Sequence, residues 1–244
     1  MLRVLSDCLT AADERKVTFL GLLYIMSAAF DCVDHDILLL WLRLRYGLAG
    51  DVNNWISSFL TGRTQQVVYN GTMSTIQPVL FGVPQGSVLG PLLYVLYTAE
   101  LESIVERQDM KLHQYADDCQ IYTSVSAADS PAAVSKLSAC VTVLNQWMSA
   151  NRLRLNYPAK TQVMWLGSSQ QLTKIQIKDI SIRKTTVRVT ETARDLGVVI
   201  DSQLSLASHV SAVSRSCYYQ LRQLRSVVNL LSDGASKLLA HAFI

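Results

Sequence analysis

Lys111-Leu112-His113-Gln114-Tyr115-Ala116-Asp117-Asp118-Cys119-Gln120-Ile121-Tyr122-Thr123-Ser124 reads as two strands folded back on each other, with Asp117-Asp118 at the tip. Adjacent carboxylates at the tip of a hairpin repel one another, so the pair costs stability unless a cation lies between them. Magnesium suits such a place, because its shell is hard oxygen from one or two carboxylates completed by phosphate oxygens. A plain polar turn is the alternative, since aspartate favours turns on its own account.

Upstream of this hairpin, Gly82-Val83-Pro84-Gln85-Gly86-Ser87-Val88-Leu89-Gly90-Pro91 forms a glycine-rich loop ahead of an apolar stretch that predicts a helix to Ile104. Glycines let backbone approach a flat ligand or phosphate, and a helix N-terminus favours anions. An ordinary loop before a capped helix has the same composition. Further upstream, Val17 to Met26 reads as a buried strand, followed by helices from about Asp36 to Tyr46 and from Asp51 to Leu60. Asn70-Gly71 predicts a tight turn between Gln65–Tyr69 and a strand from Thr72. Downstream, Ser130-Pro131 opens a long helix to about Asn151, with the serine as cap. Strands are expected at Leu153–Leu155 and Gln162–Leu166. Short alternating strands then follow through Ile200, and a helical pattern starts near Leu206 with Val210, Val213, Cys217, Leu221, Leu224 and Val228 as its stripe.

Composition narrows the class. Half of the 244 residues are hydrophobic, 17% are charged, and the mean hydropathy is +0.21. Such a chain buries a core rather than staying disordered. The apolar runs are too short to span a membrane: Ile37–Leu44 contains Arg43, and Val17–Phe30 ends at Asp31 and Asp34. A net charge of +3 permits nucleic-acid binding without requiring it. Five scattered cysteines without a CxxC pair indicate neither a zinc site nor a disulfide framework, and they fit the nucleus or cytoplasm. The first residues lack a basic region followed by an apolar run and a small-residue cleavage site, so no secretory signal is expected.

FDCVDHDILL, WISSFLTGRTQ, GVPQGSVLGPLLY, YADD, NRLRLNYPAKTQ, ARDLGVVID and HVSAVSRSCYYQLRQLR occur in that order. This succession resembles the reverse transcriptases of non-LTR (LINE-type) retrotransposons, from about residue 17 onward. The resemblance implies an α/β polymerase palm: an antiparallel sheet with helices on one face, followed by a helical thumb. Residues 1–170 correspond to palm, 171–204 to connecting strands and 205–244 to thumb. It implies RNA-directed DNA polymerisation by two Mg²⁺ ions held at Asp117 and Asp118, on an RNA template and a DNA primer, with deoxynucleotides as substrates. Phe30 corresponds to the bulky residue that blocks a ribose 2′-hydroxyl, beside Ala29; a core aromatic at a strand end is the alternative. Gln85 and Gly86 correspond to the loop that positions template and nucleotide, and Lys160 to a lysine near the nucleotide phosphates, with a solvated lysine as the alternative. Arg215, Arg222 and Arg225, spaced by seven and three, form a face suited to the phosphates of the template–primer duplex. A solvated basic face is the alternative.

The pattern breaks at one position. The family places a third carboxylate five residues before Phe30, where this chain has Ile25, and no Asp or Glu occurs from Lys16 through Phe30. Losing that ligand removes coordination and charge together. The resemblance also implies a fingers region ahead of the strand, for which residues 1–16 are expected to be too short, and a thumb expected to be incomplete at Ile244. Two readings follow: a piece of an RNA-directed DNA polymerase, or a catalytically dead relic or co-opted nucleic-acid-binding protein. Restoring aspartate at position 25 alone is not expected to restore activity.

Overall fold

The structure, a computed structural model, describes residues 2–24, 29–155, 161–183 and 185–242. The first elements are α1 (Leu2–Asp13), β1 (Val17–Tyr24), α2 (His35–Tyr46) and α3 (Asp51–Leu60). A narrow ribbon follows: β2 (Thr64–Gln65), β3 (Val68–Tyr69), β4 (Thr72–Met73) and β5 (Gln77–Pro78). Next come α4 (Leu89–Thr98), α5 (Glu100–Glu106), β6 (Lys111–Tyr115), β7 (Asp118–Val125) and α6 (Ser130–Ala150). The last third holds β8 (Gln162–Leu166), α7 (Ser169–Leu172), β9 (Asp179–Ile182), β10 (Thr185–Arg188), β11 (Thr192–Asp195) and β12 (Val198–Asp201). Two helices, α8 (Ala207–Val227) and α9 (Asp233–Ala242), follow.

The central sheet has the order β6-β7-β1-β8, antiparallel throughout. β1 sits inside it because its residues are apolar on both faces. Val17, Phe19 and Leu23 belong to the larger core, which also takes residues of α2, α4, α5 and α6. Phe19 stacks on Trp165 of β8 with centroids 4.3 Å apart. At Gly21 a Cβ would meet the Leu137 side chain at 3.2 Å, so the missing side chain lets α6 lie close on the sheet.

The alternate residues Leu20 and Leu22 enter a second cluster with Val4 and Cys8 of α1, Tyr122, Met164, and Ala193 and Ile200 of the β11–β12 hairpin. The expectation of helices on one face is therefore corrected: α1 and a β-hairpin cover the other. A strand that is apolar without alternation needs cover on both sides, and the run Val17–Leu23 already carried that requirement.

Local signals behave as their chemistry dictates. The Asp34 side chain accepts from the Ile37 backbone N–H and caps α2, which ends at Gly47 in the left-handed region. Asn70 and Gly71 both take positive φ, as a two-residue type I′ hairpin turn requires. Some boundaries differ. The helix expected from Pro91 to Ile104 begins at Leu89 and divides into α4 and α5. Ser126, not Ser130, supplies the capping oxygen, to Asp129 N–H in a 3-10 turn that leads into α6. Leu153–Leu155 forms no strand element, although Leu153 and Leu155 are buried. Most of the apolar stripe of α8 stays exposed: Leu224 is half-buried, and among the described residues of that helix none is fully buried.

Candidate active site

The site is built where β1, the β6–β7 hairpin and α4 meet. The hairpin turn is Ala116-Asp117, and Asp118 is already the first residue of β7. Ala116 takes φ +52°, a left-handed conformation that costs an L-residue about 1 kcal/mol or more. Only the first turn residue is at positive φ, the pattern of a type II′ hairpin, where glycine is usual. The strain is held by Gln114, whose Nε2 donates to the Ala116 carbonyl at 2.9 Å and to Thr98 Oγ1 at 3.1 Å. The Thr98 hydroxyl in turn donates to the Tyr94 carbonyl within α4. The aspartate turn is thereby fastened to α4.

Register brings the aspartates to the end of β1. Asp118 pairs across the sheet with Tyr24, the last residue of that strand, and Val17 pairs with Val125 at the other end. Ile25 follows Tyr24 directly in the chain and lies outside the described residues, as does Lys160. Asp117 and Asp118 are both half-buried. Beside them, burial pushes the Cys119 thiol up to about 12, and the charges of Asp118 and Asp117 add to that shift.

Past the end of β1 the chain turns through a 3-10 segment, Ala29–Cys32. Ala29 is buried, and the half-buried Phe30 stacks on Tyr94 of α4 at 4.4 Å between centroids. Tyr94 is fully buried, its hydroxyl has no hydrogen-bond partner among the described residues, and burial raises its pKa strongly, with Cys119 and Asp117 adding to the effect. One helix thus carries the ring that backs Phe30 and the threonine that anchors the aspartate turn.

The glycine loop closes on the same 3-10 segment. Gly82 N–H donates to the Val33 carbonyl and Val83 N–H to the Phe30 carbonyl, both at 2.8 Å. His35 is buried and its Nε2 lies 2.7 Å from the Gly82 carbonyl, so that nitrogen carries the proton. Gly82 has φ +91°, and a Cβ there would fall 2.8 Å from the Asp31 Cα. Gln85 and Gly86 are exposed, and Gln85 Nε2 donates to Asp31 Oδ1 at 2.9 Å.

Ala29, Phe30, Gln85, Gly86, Asp117 and Asp118 therefore converge on one end of the sheet. Arg215, Arg222 and Arg225 do not join this cluster; they are exposed along α8. Sequence reasoning missed Tyr94, Thr98 and Gln114. The first two sit at i and i+4 on the buried side of an apolar helix, a spacing that signals only core.

The carboxylates near the site are otherwise committed. Asp31 accepts from Gln85 and Asp34 caps α2. Among the described residues no three His, Cys, Asp or Glu side chains gather as metal ligands, and none of the remaining residues is of those types. A pair of neighbouring carboxylates without a third does not fit a two-ion centre.

The same arrangement of sheet and helices occurs in solved structures. Apo telomerase from Candida tropicalis, truncated of its C-terminal domain, superposes with a TM-score of 0.55 at 14% identity, covering 84% of this chain and 39% of that one. Residues 10–200 match the family described as reverse transcriptase (RNA-dependent DNA polymerase). The chain belongs to the reverse transcriptase family, and within it to the non-LTR retrotransposon kind.

Two Drosophila melanogaster proteins are similar along most of it. The probable RNA-directed DNA polymerase from transposon BS is 29% identical over 236 residues, which are 93% of this chain and 25% of that protein. The RNA-directed DNA polymerase from mobile element jockey is 26% identical over 219 residues, 88% of this chain and 23% of the relative. The chain thus spans about a quarter of the length of these relatives.

Proposed function

We propose that this chain is the palm-bearing segment of a non-LTR retrotransposon RNA-directed DNA polymerase, in which template–primer binding persists and nucleotidyl transfer is lost at position 25. The observation that carries the reading is the register of Tyr24 with Asp118. It supports position 25 as the neighbour of the aspartate pair, and that position holds isoleucine. In a catalytically complete site two magnesium ions would activate the primer hydroxyl and stabilise the departing pyrophosphate. Here the protein supplies two carboxylates, a backed aromatic at Phe30 and the Gln85–Gly86 loop, which can seat a nucleotide but lack the third ligand.

Nucleic-acid contact falls to α8. Arg215, Arg222 and Arg225 lie within a sector of roughly 80° at 100° per residue, so one phosphate backbone can run past all three. In this reading residues 1–170 are palm, 171–204 connect, and 205–244 act as thumb. One of the similar solved structures, telomerase from Candida albicans, is in complex with a fragment of telomeric RNA, at 12% identity and a TM-score of 0.51. That likeness supports an RNA-containing ligand for this fold.

The test is a labelled RNA template annealed to a DNA primer, followed by anisotropy and by primer extension with magnesium and deoxynucleotides. Binding should weaken with salt, and replacing the three arginines by alanine should flatten the slope of log K against log salt by up to about 3. Extension should be absent. Incorporation that disappears on Asp117→Ala would overturn the loss of transfer, and absence of any salt-sensitive binding would overturn the nucleic-acid reading.

A further inference from the structure

Phe30 is held from two directions, and only one of them fixes its ring. Its backbone carbonyl accepts from Val83 N–H of the glycine loop at 2.8 Å, which places the residue but leaves its side-chain torsions free. The ring is set by Tyr94, with centroids 4.4 Å apart and planes 23° apart. Phe30 is half-buried and Tyr94 is fully buried, so the ring with less room to move is the one behind.

Tyr94 lies in the second turn of α4, between two anchored turns. Ahead of it, Ser87 Oγ donates to the Pro84 carbonyl at 2.6 Å and accepts from Gly90 N–H at 3.0 Å, tying the start of the helix to the glycine loop. A Cβ at Gly90 would fall 2.7 Å from the Pro84 carbonyl oxygen, so loop and helix are already in contact. One turn after Tyr94, Thr98 accepts from Gln114 Nε2 at 3.1 Å. The neighbours Leu93 and Tyr97 are buried as well. The Tyr94 hydroxyl has no partner among the described residues, so what this residue contributes is its ring.

A steric block discriminates only as far as it is stiff. A phenyl ring with empty space behind it turns aside for an added hydroxyl. A ring backed by a second ring must displace that ring too, and a close-packed interior has no room to give. We propose that Tyr94 is the positioning residue that makes Phe30 a selective block, so that preference for a deoxynucleotide over a ribonucleotide is set by the pair and not by Phe30 alone. This assignment rests on the reading of the site as one that seats a nucleotide, and adds the residue that decides between the two sugars. Both rings belong to this chain and touch each other within it, so the contact does not depend on what else surrounds the site.

The test titrates the full 244-residue chain, carrying an RNA template annealed to a DNA primer with uracil as the next template base. Unlabelled dATP and ATP each compete with dATP labelled on its γ-phosphate, and the ratio of their dissociation constants is read. Rejection of one added hydroxyl should give a ratio of roughly 10 to 100 in the unaltered chain, and a ratio near 1 in Phe30→Ala. Tyr94→Leu and Tyr94→Met, which lack a ring, should lower it to about 3 or less while dATP still binds. Tyr94→Phe keeps the ring and should keep the ratio, with a melting temperature unchanged or higher because the unpaired buried hydroxyl is gone. Circular dichroism checks that each variant folds. Independently of any variant, the Phe30 ring protons of the unaltered chain should show the upfield NMR shift of a stacked ring. Binding of neither nucleotide overturns the nucleotide-seating reading itself, and a ratio unmoved by Phe30→Ala overturns the role of Phe30 with it. A ratio that collapses in Phe30→Ala but stays native in the folded ringless variants overturns the positioning role alone, as do ordinary ring shifts for Phe30.

Discussion

Gly82→Ala tests whether the glycine loop is locked against the turn that carries Phe30. Two costs add at this position. The backbone sits at φ +91°, where an L side chain is strained by about 1 to 2 kcal/mol. The new Cβ would also fall 2.8 Å from the Asp31 Cα and 3.0 Å from the carbonyl oxygens of Asp31 and Phe30. These are backbone atoms, so no rotamer change relieves the contact. The loop must lift, and the hydrogen bonds of Gly82 to Val33, Val83 to Phe30 and His35 to Gly82 loosen with it, at about 1 kcal/mol each.

The sum is about 4 to 5 kcal/mol, a large share of the ~5 to 15 kcal/mol that holds a protein folded. At ~2 to 4 °C per kcal/mol for a chain of this size, melting should fall by about 10 °C. Gly86→Ala is the control: φ is +77° but nothing lies within 4 Å of a Cβ, so strain alone, about 1 to 2 kcal/mol, should appear. Urea unfolding of the three proteins measures the difference. Equal losses at the two positions would refute the close approach of Gly82 to the 3-10 turn.

Other outcomes follow from buried groups. Burial raises the Asp195 carboxyl above its ordinary 3.8, while Gln120 Nε2 donates to it at 2.6 Å and Gln120 Oε1 lacks a partner among the described residues. A raised folded-state pKa means the group's stabilising contribution is complete below about 3.8 and is lost as pH rises through the folded value. Asp195→Asn removes the ionisation and adds a donor near Gln120, so it should stabilise the protein at pH 7 and lose that advantage near pH 3; a pH-independent difference would count against this account. Burial pushes the thiols of Cys8, Cys119 and Cys140 up to about 11, 12 and 12, and raises Cys32 as well, while Cys217 is exposed. Titration with a disulfide reagent at neutral pH should therefore find one fast thiol per native chain; two or more would show the core to be open.

Much of the site was legible in the sequence because its signals are local. The hairpin around Asp117-Asp118, the Asn70-Gly71 turn and the Gly47 stop each depend on a few neighbouring residues with defined backbone preferences. Family resemblance added expected roles for Phe30, Gln85 and Gly86, and the structure gathers all three with the aspartates at one end of the sheet. The stripe of α8 predicted the helix and no more: spacing of three and four shows that a helix has an apolar face, and says nothing of whether another element covers it.

By itself the sequence determined most of the strands and helices, though not α1, α7 or the missing strand at Leu153–Leu155, and it determined where the chain must turn and that Ile25 stands where the family pattern has a carboxylate. Only tertiary structure decided the strand order β6-β7-β1-β8, the pairing of Tyr24 with Asp118, the second cover of the sheet by α1 and the β11–β12 hairpin, and the use of Tyr94, Thr98 and Gln114 behind the site. The reason is physical. Turn and helix preferences act within a few residues, whereas strand order and register are selected by which faces bury together, between segments roughly a hundred residues or more apart that are all apolar enough to pair.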